Sequence, residues 1–202
     1  MHQALKQKDT KEPAIFIELG RLYRMIGDKN NEQKIYLQGL EQSPKNIILM
    51  LNLASNHEIN QAFDDAIALY EKVLLINPQH NVSKNNLATV LLDHYGKTDD
   101  LNKAIQLTES FKQSNQPYFL DTYGWAKLKS GKTAEALSIF KQVILLEPNT
   151  LIFRYHLAVA YYNLGNLMSA GAELKQALYL GKGEEFSEKV LIKNLLVKIK
   201  DK

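Results

Sequence analysis

The sequence has no cysteine, one tryptophan and five prolines among its 202 residues. The absence of cysteine excludes disulfide frameworks, thiolate zinc sites and cysteine nucleophiles. The longest apolar run, residues 47–54, already contains Asn52, and no segment approaches the roughly 20 apolar residues that cross a bilayer. The 25 Lys and Arg residues exceed the 22 Asp and Glu residues by only three, so the charge does not indicate a nucleic-acid partner. Residues 1–12 lack the apolar core of a signal peptide, and we expect a soluble, folded chain.

A small residue recurs along the chain at a nearly constant spacing. Intervals of 34, 34, 36 and 34 residues separate Gly20, Ala54, Ala88, Gly124 and Ala158. A leucine or a tyrosine precedes each of them, and in four of the five units a tyrosine, phenylalanine or leucine follows 16 residues later. On ordinary Gly and Ala usage, five such matches at one phase arise by chance about once in ten thousand trials. The spacing therefore predicts a repeat protein.

Each unit has the pattern of two amphipathic helices joined by a short turn. The small residue and its preceding leucine share a face of the first helix, and apolar residues at helical spacing define the second helix. Gly27, Gly131 and Gly165 stand where a glycine cap ends a first helix. The predicted helix pairs are 14–26/30–42, 47–60/62–75, 81–95/101–113, 117–130/133–145 and 151–164/167–179. The third pair has the longest internal loop.

These units resemble the tetratricopeptide repeat, whose pattern is W-x2-L-G-x2-Y, then A-x3-F, then P. The first unit reads F-x2-L-G-x2-Y from Phe16 to Tyr23, and the fifth reads R-x2-L-A-x2-Y from Arg154 to Tyr161. Glu32 departs from the pattern because it replaces the second small residue of the first unit. The resemblance implies an all-α fold, an α-α superhelix of five helix-turn-helix repeats. Their predicted bounds are 13–46, 47–80, 81–116, 117–150 and 151–184.

The two ends of the array carry different expectations. Residues 1–12 are either an N-terminal arm or the remnant of a preceding repeat, since QALK at positions 3–6 is similar to the end of a second helix. Residues 184–202 are predicted to form a C-terminal capping helix that turns apolar side chains toward the last repeat. The predicted apolar stripe consists of Val190, Leu191, Leu195 and Ile199.

Catalytic chemistry finds little support in the sequence. There is no G-x-S-x-G, no phosphate-binding glycine loop and no H-E-x-x-H, and the five histidines are scattered without metal-ligand spacing. His57 occupies an aromatic position of the repeat, where packing is the simpler interpretation. Asp99 and Asp100 precede a predicted helix, where N-capping explains them. We expect no enzyme activity, no cofactor and no metal.

The resemblance implies a recognition role, because ligands of tetratricopeptide repeat proteins usually lie in a concave groove lined by the first helices. We expect a protein or peptide partner there, bound through positions 2, 5, 9, 12 and 13 of the repeats. The candidate binding residues are Arg21, Arg24, Asn85, Thr89, Tyr118, Asp121, Trp125, Tyr155, Tyr162 and Asn163. Two questions stay open: whether Trp125 packs between repeats instead, and whether the arginines only line a solvated face.

A narrower resemblance covers the C-terminal half. The strings N-N-L-A from Asn85, L-D-T-Y-G-W from Leu120 and R-Y-H-L-A-V-A from Arg154 are similar to the last repeats of bacterial proteins linked to exopolysaccharide production and envelope sorting. One alternative is therefore a periplasmic envelope factor, and another is a self-assembling structural module. The sequence leaves the oligomeric state and the choice between periplasm and cytoplasm open.

Overall fold

A computed structural model describes residues 12–182 and 188–201. Within these residues the chain forms α-helices, one short 3-10 segment (Glu109–Phe111) and no β-strand. The helices are α1 Pro13–Met25, α2 Lys29–Gln42, α3 Ile47–Ile59, α4 Phe63–Ile76, α5 Asn81–His94, α6 Thr98–Thr108, α7 Pro117–Lys129, α8 Thr133–Leu146, α9 Leu151–Asn163, α10 Leu167–Leu180 and α11 Lys189–Lys200. The predicted all-α class and the helix-turn-helix pairing are confirmed.

The chain divides into two compact units, with the boundary between Val90 and Leu91 inside α5. In unit one, the pairs α1/α2 and α3/α4 form hairpins, and α3 also packs against α1 and α2. In unit two, α7/α8 and α9/α10 form hairpins, α6 packs on α7, and α11 packs on α10. Each hairpin therefore covers part of its neighbour within its own unit, as stacked repeats require.

The first hairpin of unit one closes on a glycine. Gly20 of α1 lies against the ring of Tyr36 in α2, so closely that a Cβ atom at position 20 would overlap the ring. Tyr36 is fully buried, and Phe16 and Leu49 are buried in the same core. The 16-residue interval from the small residue to the aromatic is thus a direct contact between the two helices of one repeat.

The same contact recurs in unit two with more room. A Cβ atom at Gly124 would lie 2.8 Å from Cε1 of Phe140 and 3.0 Å from Cγ2 of Ile139. Phe140 is fully buried, as are Ala158 and Leu174, which hold the corresponding positions of the next hairpin. The repeat pattern therefore places one small residue opposite one bulky residue in hairpins of both units.

The first helices α1, α3, α7 and α9 end in left-handed turns. Gly27, Gly131 and Gly165 have φ angles of 76°, 82° and 77°, which a glycine adopts without the Cβ penalty. Gln61 holds the same place after α3 with φ 60°, and it is the exception because it carries a side chain. The amide of Ala62 donates to the His57 carbonyl at 2.9 Å, so the hydrogen bonds of this turn form despite the strain.

The third repeat differs from its prediction. Helix α6 begins at Thr98 rather than near residue 101, and it ends at Thr108 before a 3-10 turn instead of continuing to 113. Asp99 and Asp100 lie inside its first turn and supply no capping hydrogen bond, because Lys97 is the N-cap residue. The N-cap prediction for these two acids is wrong, although carboxylates in a first turn still interact favourably with the helix dipole.

Helix α11 turns a different face inward than predicted. Val190 and Leu191 are exposed, whereas Ile192 is fully buried and Leu195, Leu196 and Ile199 pack with it. The predicted stripe was thus right at Leu195 and Ile199 and wrong at the other two. Residues 1–11 and 183–187 lie outside the described residues, so the predicted N-terminal arm and the start of the capping segment stay predictions. In the described part of the chain, no helix combines the length and apolar character that crossing a bilayer requires.

Candidate functional site

The two candidate arginines of unit one both form ion pairs within that unit. Arg21 pairs with Glu18 one turn earlier on α1 at 2.8 Å, and both side chains are mostly exposed. Arg24 donates from Nε to Oε1 of Glu32 at 2.6 Å. Surface pairs of the first kind contribute little, about 0–1 kcal/mol, so Arg21 keeps the freedom to contact a ligand.

Glu32 is the centre of a buried polar network. Its carboxylate, only 1% exposed, accepts from Arg24 and also from Nδ2 of Asn56 at 3.0 Å. Arg24 additionally donates to the Asn52 carbonyl at 3.3 Å. A carboxylate without partners at this depth would be strongly destabilising, so Arg24 has a structural role here. The sequence offered a signal, because Glu32 stands where the repeat has a small residue.

The other polar candidates of unit one make internal hydrogen bonds. Thr89 donates to the backbone carbonyl of Asn85 at 3.0 Å, one turn earlier on α5. Asn85 itself donates to Oδ1 of Asn86 at 3.3 Å. On the preceding hairpin, the buried hydroxyl of Tyr70 donates to the Glu58 carboxylate, and burial together with that charge raises the pKa of Tyr70. Charged and polar groups of unit one thus mainly satisfy one another.

Unit two brings three of its candidate residues together: Asp121, Tyr155 and the single tryptophan, Trp125. We call this group the Trp125 cluster, and its side chains are linked by hydrogen bonds or ring contacts. Its members are Asp93, Asp121, Trp125, Lys129, Tyr155 and His156. They come from the end of α5 and from the first helices α7 and α9.

The base of the cluster is a buried carboxylate–imidazole pair. Nδ1 of His156 donates to Oδ2 of Asp121 at 2.8 Å, and both residues are buried. The Trp125 ring stacks on the imidazole with centroids 4.1 Å apart and an angle of 17° between the planes. Trp125 is itself only 7% exposed, so this residue of α7 packs against the first helix of the next repeat, α9.

The outer part of the cluster carries exposed charge. The Trp125 indole N–H donates to Oδ1 of Asp93 at 2.7 Å, and the Lys129 ammonium lies 4.8 Å from a Trp125 ring centroid. Asp93 and Lys129 are exposed, and Tyr155 is half-buried 6.4 Å from the tryptophan. Burial raises the pKa of the Tyr155 phenol, and the negative charges of Asp93 and Glu188 raise it further. The arrangement offers aromatic surface and charge side by side.

The remaining candidates of unit two lie at the start of α7 and at the end of α9. Tyr118 is 60% exposed, and its ring meets Phe153 edge-on at 5.0 Å. Tyr162 is half-buried, and Asn163 is exposed at the last turn of α9. Among the described residues, no group of three His, Asp or Glu side chains is placed to hold a metal ion. The site is therefore a surface of aromatic and charged groups on first helices.

Comparison with known families agrees with this architecture. Models of the tetratricopeptide repeat match residues 48–80 and residues 127–186. The chain is a tetratricopeptide repeat protein. Such repeats generally form scaffolds for protein interaction. Of the Trp125 cluster, the second match contains Lys129, Tyr155 and His156.

Solved structures and a curated relative show how far the likeness extends. The chain is similar to PilW, a type IV pilus biogenesis factor, with 17% identity, a TM-score of 0.76, and coverage of 96% of this chain and 88% of PilW. It is similar to a thermophilic tetratricopeptide repeat protein of Thermus thermophilus, with 16% identity, a TM-score of 0.72, and coverage of 95% and 100%. Human trafficking protein particle complex subunit 12 is 26% identical over 126 residues, which span 59% of this chain and only 16% of that protein.

The tetratricopeptide repeat numbering also locates residues that the candidate set omitted. If Asn81 and Pro117 are position 1 of their repeats, Asp93 and Lys129 are both position 13, one of the groove positions. The same count could have identified them from sequence. His156, at position 6, is different, because only the structure shows that it links Asp121 to Trp125.

Proposed function

We propose that this tetratricopeptide repeat protein is a non-catalytic scaffold that binds a peptide or protein segment on the first helices of unit two. The observation that carries the proposal is the Trp125 cluster. The buried Trp125 ring lies beside the half-buried Tyr155, with ring centroids 6.4 Å apart, and two exposed charges flank the tryptophan. Aromatic groups held in this way are typical of binding hot spots, because little rotamer freedom is lost when a ligand covers them.

Unit two is a stronger candidate than unit one because exposed candidate side chains lie on the same first helices as its aromatic cluster. In unit one, Arg24 is held by the buried Glu32 carboxylate. In unit two, Tyr118 is largely exposed and Asn163 is exposed. These groups can exchange water for ligand without breaking the fold. YrrB, with an identity of 18% and a TM-score of 0.61, is a similar protein described as having an unusual peptide-binding site, and that description supports peptide binding here.

The test is a pair of truncations on α9. A partner segment is first identified by peptide display, and its affinity is then measured by calorimetry for the wild type, Tyr155→Ala and Tyr162→Ala. We expect each truncation to weaken binding by about 2 kcal/mol, the usual cost of removing a hot-spot aromatic. Tyr179→Ala is the matched control, because Tyr179 is 70% exposed on the second helix α10. Circular dichroism verifies that the variants stay folded.

Two results would contradict the proposal. If both truncations bind as tightly as the wild type, the ligand does not use this surface. If Tyr179→Ala loses as much affinity as they do, the ligand lies on second helices instead. A loss confined to Tyr155 and Tyr162 supports the first-helix surface.

A second candidate is an envelope factor that serves exopolysaccharide production or export. Its support is the resemblance of the C-terminal strings that begin at Asn85, Leu120 and Arg154, and PilW is a similar fold from pilus biogenesis. Aromatic rings also stack on sugars, so the Trp125 cluster suits this role as well. Calorimetry with acidic oligosaccharides, in parallel with the displayed peptides, separates the two candidates. Fractionation of cells that express the gene tests the compartment.

A further inference from the structure

We propose that the ligand of the Trp125 cluster presents a lysine or arginine side chain, and that Lys129 occupies its place while the protein is free. The proposal rests on the proposed function and adds the charge of the ligand. It makes Lys129 an internal competitor instead of a binding residue.

The geometry of the tryptophan supports a cation site. Its ring face already has an ammonium 4.8 Å from the centroid, within the roughly 6 Å over which a cation is attracted to an aromatic face. Its N–H edge is fixed by Asp93 at 2.7 Å, which places a carboxylate beside the ring. A cation on this face interacts with the ring and with the carboxylate together, whereas an anion would be repelled by both.

The surrounding charges favour the same sign of ligand. Asp93 is exposed, and Asp121 is buried in its hydrogen bond with His156. Glu188 adds a third negative charge, which contributes to the raised pKa of the Tyr155 phenol. Lys129 is the ammonium that opposes them at the ring. When it swings into solvent, the cluster is left with a net negative charge beside two aromatic rings, which matches a guanidinium or an ammonium group.

The Lys129 contact is weak enough to be displaced. Lys129 is exposed and its stem is flexible, and a cation–π contact at an exposed site contributes about 0.5–1 kcal/mol. An internal competitor of this strength lowers the apparent affinity for a basic ligand by the fraction of molecules in which it occupies the ring. Removal of Lys129 should therefore tighten binding of a cation about two- to fivefold.

The experiment uses the tryptophan as its own reporter, because the chain has only one. Acetylated and amidated tetra-arginine and tetra-glutamate peptides are titrated into the whole protein while Trp125 emission is recorded. We expect a saturable change with tetra-arginine and none with tetra-glutamate. Lys129→Met should tighten tetra-arginine binding two- to fivefold. Asp93→Asn should weaken it severalfold, although an asparagine oxygen can still accept the indole hydrogen bond.

Two matched variants control for nonspecific attraction. Lys141→Met removes the same charge from unit two together with a longer lysine–tyrosine contact, 5.7 Å from the Tyr161 ring. Glu135→Gln removes an exposed acid from the neighbouring helix α8. Both should bind tetra-arginine within a factor of two of the wild type. Equal effects of Lys141→Met and Lys129→Met, or of Glu135→Gln and Asp93→Asn, would overturn the proposal.

The outcomes also separate this proposal from the proposed function. If tetra-glutamate binds with a Trp125 signal and Lys129→Met abolishes it, the surface binds peptides but Lys129 is a contact for acidic ones. In that case the cation preference is wrong and the scaffold function stands. If neither these peptides nor the displayed peptides bind, both proposals fail.

Discussion

The two units build their first helices from the same repeat and use the exposed faces differently. In unit one, Arg24 is directed to a buried carboxylate, Glu32, on the second helix of its own hairpin. In unit two the corresponding small position, Ala136, is fully buried and uncharged. The polar groups around Trp125 there meet across successive first helices. A single acid at a small-residue position thus converts a candidate ligand-binding arginine into a structural one.

The largest expected effect concerns the glycines that let each hairpin close. Gly20→Ala would place a Cβ atom on the Tyr36 ring, so we expect it to destabilise the protein by about 3 kcal/mol. Gly124→Ala meets Phe140 at 2.8 Å, where a small shift of the ring suffices, and it gains helix propensity, so its cost should be about 1 kcal/mol or less. Urea unfolding of both variants measures the difference. Equal losses would show that the two hairpins are equally tight.

The next effect tests the buried network of unit one. Glu32→Gln keeps the shape of the side chain but removes the charge that holds Arg24, and we expect a loss of about 1–2 kcal/mol. Glu18→Gln is the matched control, since its pair with Arg21 is exposed and should contribute less than about 1 kcal/mol. Urea unfolding compares the two. A loss no larger for Glu32→Gln than for Glu18→Gln would mean that the burial of Glu32 does not make its pair stronger.

The smallest effect concerns the turn that lacks a glycine. Gln61 has φ 60°, which costs a residue with a Cβ atom about 1 kcal/mol, so Gln61→Gly should stabilise unit one by about 0.5–1 kcal/mol. Gly131→Ala, at the same place in unit two, should destabilise by a similar amount. Thermal unfolding followed by circular dichroism detects both changes. Opposite signs are the expected result, and equal signs would contradict the strain at position 61.

Much of the fold could be predicted because its contacts are periodic. The 16-residue interval from Gly20 to Tyr36 marks the contact of an aromatic ring with the backbone of the facing helix. The interval from Gly124 to Phe140 marks the same contact in unit two. The glycine turns were predicted for a similar reason, since three of them share one φ region. Because the same contact recurs in several repeats, each repeat supports the helix assignment of the others. Most predicted helix bounds therefore agree with the structure within two residues.

The errors fall where the pattern has no second copy. Helix α6 follows the longest loop, and the shift of its start to Thr98 could not be read from the other repeats. Helix α11 has apolar residues on most of its circumference, so a stripe through Val190 and one through Ile192 satisfy the same spacing. Packing on α10 selects Ile192, and that choice depends on tertiary contacts rather than on periodicity.

The sequence could predict which positions of the repeat supply the candidate residues, but not which residues those side chains contact. Counting along the repeat located Asp121, Trp125 and Tyr155, and it would also have located Asp93 and Lys129. It could not show that Asp93 accepts from the indole, because these residues are 32 positions apart and the hydrogen bond depends on two rotamers. Pairings between neighbouring repeats therefore depend on the tertiary structure and not on the position within a repeat.

The contact between Gly20 and Tyr36 limits how this array can be recombined. A chimera that joined α1 to the second helix of the last hairpin would exchange the tyrosine for Leu174 and leave a void the size of several carbon atoms. The reverse graft would place Ala158 opposite Tyr36, and the tyrosine ring would have to shift before the hairpin could close. Hairpins with the same repeat pattern therefore differ in how the small residue of the first helix fits the bulky residue of the second. We expect a duplicated or exchanged hairpin to pack well only when both of its helices are kept together.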